Sequence, residues 1–75
     1  MERISLRSAR INRSLTQKQL GAIIGVHENT IAKWEEDPTS MSIRNAEKVC
    51  KALDYNISDI FFGLNLQNVD YETNS

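Results

Sequence analysis

The stretch from Leu15 to Glu35 constrains the fold more than any other part of the chain, because it encodes two short helices and the turn between them. Thr16 is a good N-cap, and Gln19 three residues later completes a capping box. Gly25 predicts the end of the first helix, because glycine adopts a left-handed backbone at low cost. The segment from about His27 to Glu36 then predicts a second helix.

Apolar spacing gives each of these helices an inner side. Leu20, Ile23 and Ile24 recur at helical spacing in the first helix, and Leu15 can form a hydrophobic staple with Leu20. In the second helix the same spacing separates an inner face from an outer face. The inner residues are Ile31, Trp34 and Glu35, and the outer residues are Glu28, Asn29, Thr30 and Lys33.

Size and composition exclude several classes of protein. Seventy-five residues make one domain at most. With a single cysteine, Cys50, and a single histidine, His27, the chain forms no internal disulfide and no Cys/His zinc site. The lone thiol suits a reducing cytoplasm. No apolar run approaches the ~20 residues of a membrane span, so a membrane partner is not expected.

Charge is distributed unevenly along the chain. The formal net charge of −1 argues weakly against a nucleic-acid partner. However, residues 1–33 hold six basic and two acidic residues, a net +4, whereas residues 34–75 hold three basic and eight acidic residues, a net −5. Because local potential governs the attraction of phosphates more than total charge does, the sum does not exclude DNA.

Three strings in one register connect the sequence to a known family. They are Thr16-Gln17-x-x-Leu20, Gly25-Val26 and Thr30-Ile31-x-x-Trp34-Glu35. They resemble the helix-turn-helix of phage repressor and Cro-type regulators, also called xenobiotic-response-element-type transcriptional regulators, over about Leu6 to Phe61. The resemblance implies an all-α five-helix bundle of the lambda-repressor-like type that places its third helix in the major groove of DNA. The alternative is a plain αα-hairpin in a small bundle.

Helix 1 is predicted from about Glu2 to Arg13, with Leu6 and Ala9 facing inward. Where the family carries an inward-leaning arginine this chain has Arg10, and the matching partner position is Glu35. A pair between them would tie helix 1 to the end of helix 3. The alternative is two unrelated surface charges, since exposed pairs contribute under ~1 kcal/mol.

Four residues depart from the family pattern. Gly21 stands where the family usually has alanine, and His27 where it prefers serine or threonine as the N-cap of helix 3. Asp37 and Asp54 replace glycines that end helices 3 and 4. His27 is interpreted either as a phosphate contact that strengthens on protonation or as an indifferent exposed side chain.

The second half predicts two more helices. A loop over 36–40 precedes Ser42, which can cap helix 4. The apolar stripe of helix 4 is Ala46, Val49, Cys50 and Leu53, in which Cys50 is interpreted as a small core residue. Asn56 can cap helix 5, and the residues predicted to close the core there are Ile57, Ile60 and Phe61.

Gly63 marks the predicted end of the domain, which covers residues 1–63. Residues 64–75 form a C-terminal tail in which apolar residues alternate over two short stretches. Three interpretations of this tail stay open: disorder, an arm that pairs with a second subunit, and a helical extension.

The outer face of helix 3 carries groups suited to base edges. Asn29 can bond adenine, Lys33 can donate to guanine, and Glu28 can accept from cytosine. The resemblance places the base-reading residues at these three positions; the alternative is a solvated helix face. The resemblance also places a DNA backbone contact at Gln17, where helix 2 begins. The other candidates for backbone contacts are His27, Thr30, Arg44, Asn45 and Arg13.

The resemblance implies a transcriptional regulator, a repressor or a Cro-like protein of a phage or mobile element, at the nucleoid in a bacterial cytoplasm. Such proteins bind as symmetric dimers to half-sites about one helical turn apart. Double-stranded DNA and a second copy of the chain, on a palindromic operator, are therefore the expected partners, with no cofactor and no small-molecule ligand. The alternative is a protein-interaction module, such as an antitoxin or antirepressor partner. An enzyme is not expected, because no catalytic or metal-binding cluster is visible.

Overall fold

A computed structural model describes residues 3–62 of the chain. Within this range the structure has four α-helices and two single 3₁₀ turns. The helices are α1 (Leu6–Asn12), α2 (Gln17–Ile24), α3 (Glu28–Glu36) and α4 (Ile43–Leu53), and the turns are Pro38–Ser40 and Ile57–Asp59. The interpretations of Gly63 and of residues 64–75 lie outside the described residues. No described helix has the length and hydropathy needed to cross a membrane.

Helix α1 is shorter than predicted, since it covers Leu6–Asn12 rather than Glu2 to Arg13. Ser5 is its N-cap, because the Ser5 Oγ accepts the backbone N–H of Ser8 at 3.0 Å. The other end is closed by Ser14, whose φ of 61° lies in the left-handed region. A serine cap and a left-handed residue therefore set limits that apolar spacing alone did not reveal.

The ends of α2 follow the predicted signals. The Thr16 hydroxyl oxygen accepts the N–H of Gln19 at 3.0 Å, and the Gln19 side chain accepts the N–H of Thr16 at 2.8 Å. The predicted capping box is thus confirmed. Gly25 ends the helix in the left-handed conformation, with φ at 83°.

One buried cluster joins all four helices. Its apolar members are Leu6, Ala9, Leu20, Ile31, Trp34, Met41, Ala46, Val49, Cys50, Leu53, Ile60 and Phe62. Ile31 and Trp34 of the predicted inner face of α3 belong to this cluster, and so does the whole predicted stripe of α4. Glu35, the third residue predicted on that face, is half-buried and lies outside the cluster. Ile23 is different, because 57% of it is exposed, whereas its neighbour Ile24 packs partly against the core.

Helix α4 also begins and ends at specific signals. The Ser42 Oγ accepts the N–H of Asn45 at 3.1 Å, so Ser42 is the predicted N-cap. Asp54 ends the helix with φ at 58°, a conformation that aspartate tolerates better than most residues. Before α4, Asp37 Oδ1 accepts the N–H of Thr39 at 3.2 Å and starts the 3₁₀ turn within the predicted loop.

The predicted fifth helix is only the 3₁₀ turn Ile57–Asp59, so the five-helix count is not confirmed. After this turn the chain extends and forms a parallel bridge between Ile4 and Ile60. Ile4 donates its N–H to the carbonyl of Asp59 at 3.0 Å, and Phe61 donates its N–H to the carbonyl of Ile4 at 2.9 Å. This pairing uses the backbone groups that a continuing helix would need.

Two core predictions in this region are wrong. Ile57 and Phe61 were expected to close the core, but 40% and 51% of these residues are exposed. Ile60 and Phe62 are buried instead. Successive side chains of an extended segment point to opposite sides, so the burial of Ile60 and Phe62 leaves Phe61 at the surface.

Candidate nucleic-acid interface

The turn between α2 and α3 depends on two glycines. Gly25 and Val26 both donate their N–H groups to the carbonyl of Gly21, at 2.8 and 2.9 Å. A Cβ atom on Gly21 would lie only 2.5 Å from the carbonyl oxygen of Val26. The start of α3 therefore approaches α2 more closely than an alanine at this position would allow, which gives the Gly21 departure a physical reason.

A buried ion pair joins α1 to the end of α3. Arg10 Nε donates to Glu35 Oε2 at 2.5 Å, and Arg10 Nη2 donates to Glu35 Oε1 at 3.2 Å. The side chains are only 10% and 6% exposed. Arg10 Nη1 also donates to the carbonyl of Leu15 at 2.7 Å, and Gln17 Nε2 donates to Glu35 Oε1 at 3.0 Å. This network holds the start of α2 and the end of α3 in one arrangement.

An open depression of about 730 Å³, called the central depression below, brings several candidate residues together. Its lining residues are Arg7, Gln17, Asn29, Ala32, Lys33, Glu35 and Glu36. Asn29 and Lys33 are both exposed and lie one helical turn apart on α3. Two predicted base readers and the predicted backbone contact Gln17 therefore share one surface.

The first turn of α3 is capped by a histidine. His27 Nδ1 accepts the N–H of Asn29 at 3.0 Å, which requires the ring nitrogen to be unprotonated. The neutral ring then carries its proton on Nε2, where it can still donate one hydrogen bond. His27 is exposed, and its predicted phosphate contact stays a prediction. Glu28 and Thr30, beside Asn29, are half-buried.

The start of α4 supplies a second set of polar groups. Arg44 is exposed and Asn45 is half-buried, and neither lines the central depression. The N–H of Asn45 is already bonded to the Ser42 cap. Arg44 is therefore the freer of the two predicted backbone contacts in α4.

Arg13 lies at the opposite end of α4. Its Nε donates to the carbonyl of Leu53 at 2.7 Å, and its Nη2 donates to the carbonyl of Asp54 at 3.1 Å. Its guanidinium also lies 4.2 Å from the ring centroid of Tyr55. Ten helical rises separate this site from the first turn of α4, roughly 15 Å. The structure thus does not bring Arg13 to the predicted backbone contacts Arg44 and Asn45 at the start of α4.

Arg7 is the candidate residue that the sequence-based interpretation missed. It is exposed on α1 and lines the central depression beside Gln17 and Lys33. Helical spacing contained a signal for it, because Arg7 lies three residues before Arg10 and therefore on the same side of α1. The described residues 3–62 hold nine basic and seven acidic residues, a formal charge of +2.

Comparison with known families places these observations in context. Residues 6–60, more than half of the chain, match a family model described as helix-turn-helix. The matched range contains all four α-helices and the α2–α3 turn. The comparison with curated proteins gave no match, and neither did the comparison with solved structures. Within residues 3–62, no group of three or more His, Cys, Asp or Glu side chains is placed to hold a metal ion.

Proposed function

Because the chain belongs to the helix-turn-helix family of DNA-binding transcription regulators, we propose that it is a sequence-specific repressor or Cro-like protein that inserts α3 into the major groove. The observation that carries this proposal is the shared surface of Asn29, Lys33 and Gln17. Two exposed polar side chains one turn apart can reach neighbouring base edges, while the start of α2 lies against the DNA backbone.

The chemistry of α3 fits base recognition. The Asn29 amide can form two hydrogen bonds with adenine, and the Lys33 ammonium can donate to the N7 and O6 acceptors of guanine. Glu28 can accept from the amino group of cytosine, although its side chain is half-buried. Asn29 and Lys33 are therefore proposed as the main readers, with Glu28 as a further one.

The start of α2 fits a phosphate. The Thr16 cap takes the N–H of Gln19. Within residues 3–62, the backbone N–H groups of Gln17 and Lys18 have no acceptor. Two unpaired N–H groups at the positive end of a helix dipole attract an anion. The remaining proposed backbone contacts are His27, Thr30, Arg44 and Asn45.

A homodimer on a palindromic operator is part of the proposal. One domain of this size reads only a few base pairs, so two copies on half-sites about one helical turn apart supply the specificity. Ile57 and Phe61 are exposed apolar residues that lie four positions apart in the sequence, after α4. They are the proposed contact surface between the copies. Such a protein would act at the nucleoid in a bacterial cytoplasm.

The decisive experiment is selection of bound duplexes from a random pool, followed by titration of the selected duplex and a scrambled one. We expect Asn29→Ala to cost about 1–3 kcal/mol on the selected duplex and to flatten preference at one base pair. Lys33→Ala should also lose specificity, whereas Lys51→Ala is the matched control. Lys51 is an exposed lysine on α4, outside the central depression.

Two results would contradict the proposed function. If Asn29→Ala and Lys33→Ala bind both duplexes as the parent does, α3 is not the reader. If selection enriches no sequence at all, the regulator is not sequence-specific.

A second candidate function is a protein-interaction module, such as an antitoxin or antirepressor partner. It is favoured by the exposed side chain of Ile23, which lines an open groove between α2 and α4 with Ile24 and Ala52. A salt-dependent gel shift separates the two functions, because a module that does not read DNA would shift no duplex.

A further inference from the structure

Arg7 lies where two surface depressions meet. The central depression extends from it toward α3, and a side depression of about 540 Å³ extends toward the loop between α1 and α2. Arg7 and Gln17 are the two residues that line both. The Arg7 side chain therefore stands next to the start of α2, although α1 is not part of the helix-turn-helix.

The charges around this junction differ in how far they are neutralised. Arg10 lines the side depression too, but its guanidinium donates two hydrogen bonds to the Glu35 carboxylate. Gln17 is neutral. Within residues 3–62, Arg7 has neither a hydrogen-bond partner nor an acid within 4.0 Å of its guanidinium. Of the two arginines that line the side depression, Arg7 is thus the one that bonds to no carboxylate within residues 3–62.

We propose that Arg7 binds the DNA phosphate at the start of α2 and supplies the positive charge that Gln17 lacks. The proposal rests on the proposed DNA-binding function. A guanidinium can donate two parallel hydrogen bonds to phosphate oxygens, a geometry that lysine does not reproduce. Gln17 then orients the phosphate through hydrogen bonds, while Arg7 provides the ionic attraction.

This division of roles predicts different salt dependences. Each cation that neutralises a phosphate contributes about −0.9 to the slope of log K against log salt concentration. Arg7→Gln should therefore flatten the slope by about 0.9 and weaken the selected and scrambled duplexes by similar factors. Gln17→Ala should weaken both duplexes without changing the slope. Lys51→Ala is the charge-matched control, and it should change neither the slope nor the affinity for either duplex.

The test is a fluorescence-anisotropy titration of these variants between about 50 and 200 mM KCl. Over this range the Arg7→Gln defect should shrink by about 3.5-fold as salt rises. Arg7→Lys should keep most of the slope and lose part of the affinity. Because Arg7 is exposed, the melting temperatures of Arg7→Gln and Arg7→Lys should match the parent, so their binding loss is not a folding defect.

Glu36 provides the control for an indirect effect, because it lines the central depression with Arg7. If Arg7 only offset the negative charge of Glu36, Arg7→Gln would have no effect in a Glu36→Gln background, and the proposed contact would be wrong. It would also be wrong if Arg7→Gln kept the parental slope and affinity while the parent bound DNA. If the parent binds no duplex, the proposed function itself fails, and the Arg7 contact fails with it.

Discussion

Replacing Arg10 by methionine should destabilise the domain by about 3–5 kcal/mol, because it leaves the Glu35 carboxylate buried without its partner. The Glu35 side chain is only 6% exposed, so water cannot replace the lost guanidinium freely. A core of this size supplies about 3–5 kcal/mol of net stability. The single variant should therefore lie close to its unfolding midpoint in buffer.

The double variant distinguishes the pair from two independent charges. Arg10→Met/Glu35→Met removes both charges and fills the space with apolar atoms, so it should be less destabilised than the sum of the single variants. We expect a coupling of about 2–3 kcal/mol. Some loss should remain, because the Leu15 carbonyl also accepts from Arg10 and would lose its donor.

Urea unfolding, followed by the fluorescence of Trp34, measures the free energy of unfolding of each variant. Trp34 is the chain's single tryptophan and is 5% exposed, so its emission reports on the core. If the Arg10→Met variant is unfolded in buffer, all variants are measured with the same concentration of a stabilising osmolyte such as TMAO. Arg7→Met, one turn earlier and exposed, should change stability by less than about 0.5 kcal/mol. Additive losses in the cycle would refute the account of a coupled buried pair.

Three further predictions concern the two glycines Gly21 and Gly25 and the cysteine Cys50. Gly21→Ala should destabilise by about 1–2 kcal/mol in spite of its better helix propensity, because its Cβ would meet the Val26 carbonyl. A Cβ at Gly25 would meet no neighbouring atom, but the left-handed φ of this residue is costly for alanine. Gly25→Ala should therefore lower the free energy of unfolding by about 1–2 kcal/mol, and Gly25→Asn should lower it less. Equal losses of stability for alanine and asparagine in urea unfolding would contradict a backbone cause. Burial, with smaller contributions from nearby carboxylates, raises the pKa of the Cys50 thiol from 9.0 to about 11. The unfolded chain therefore ionises first, and the native state should lose stability as pH rises between these two values, a loss that Cys50→Ala should lack.

Local signals predicted the elements whose ends depend on neighbouring residues. The capping box of Thr16 and Gln19 started α2 where expected, and Ser42 started α4. The stripe of α4 was buried as predicted, including Cys50 at 4% exposure. In each case the determining contact spans three or four residues, so it can be read from the sequence.

The C-terminal part could not be predicted in the same way, because a distant contact decides it. Ile4 pairs with Ile60 across almost the whole described chain, and this pairing ends the 3₁₀ turn and exposes Phe61. Ile23 shows a related limit. Spacing places it and Ile24 near the same edge of the apolar side, and only the position of α4 determines which of the two is exposed.

The candidate site combines a feature set by neighbouring residues with one set by a distant contact. Asn29 and Lys33 share a face because four residues separate them, which the sequence reveals. That Gln17 lies beside them depends on the buried network, in which one of its two amide hydrogens goes to Glu35 at 3.0 Å. The other hydrogen stays available for a phosphate. A side chain held in this way before DNA arrives avoids an ordering cost of about 0.5–1.5 kcal/mol on binding. The ion pair of the core thus also prepares the surface proposed to meet the DNA backbone.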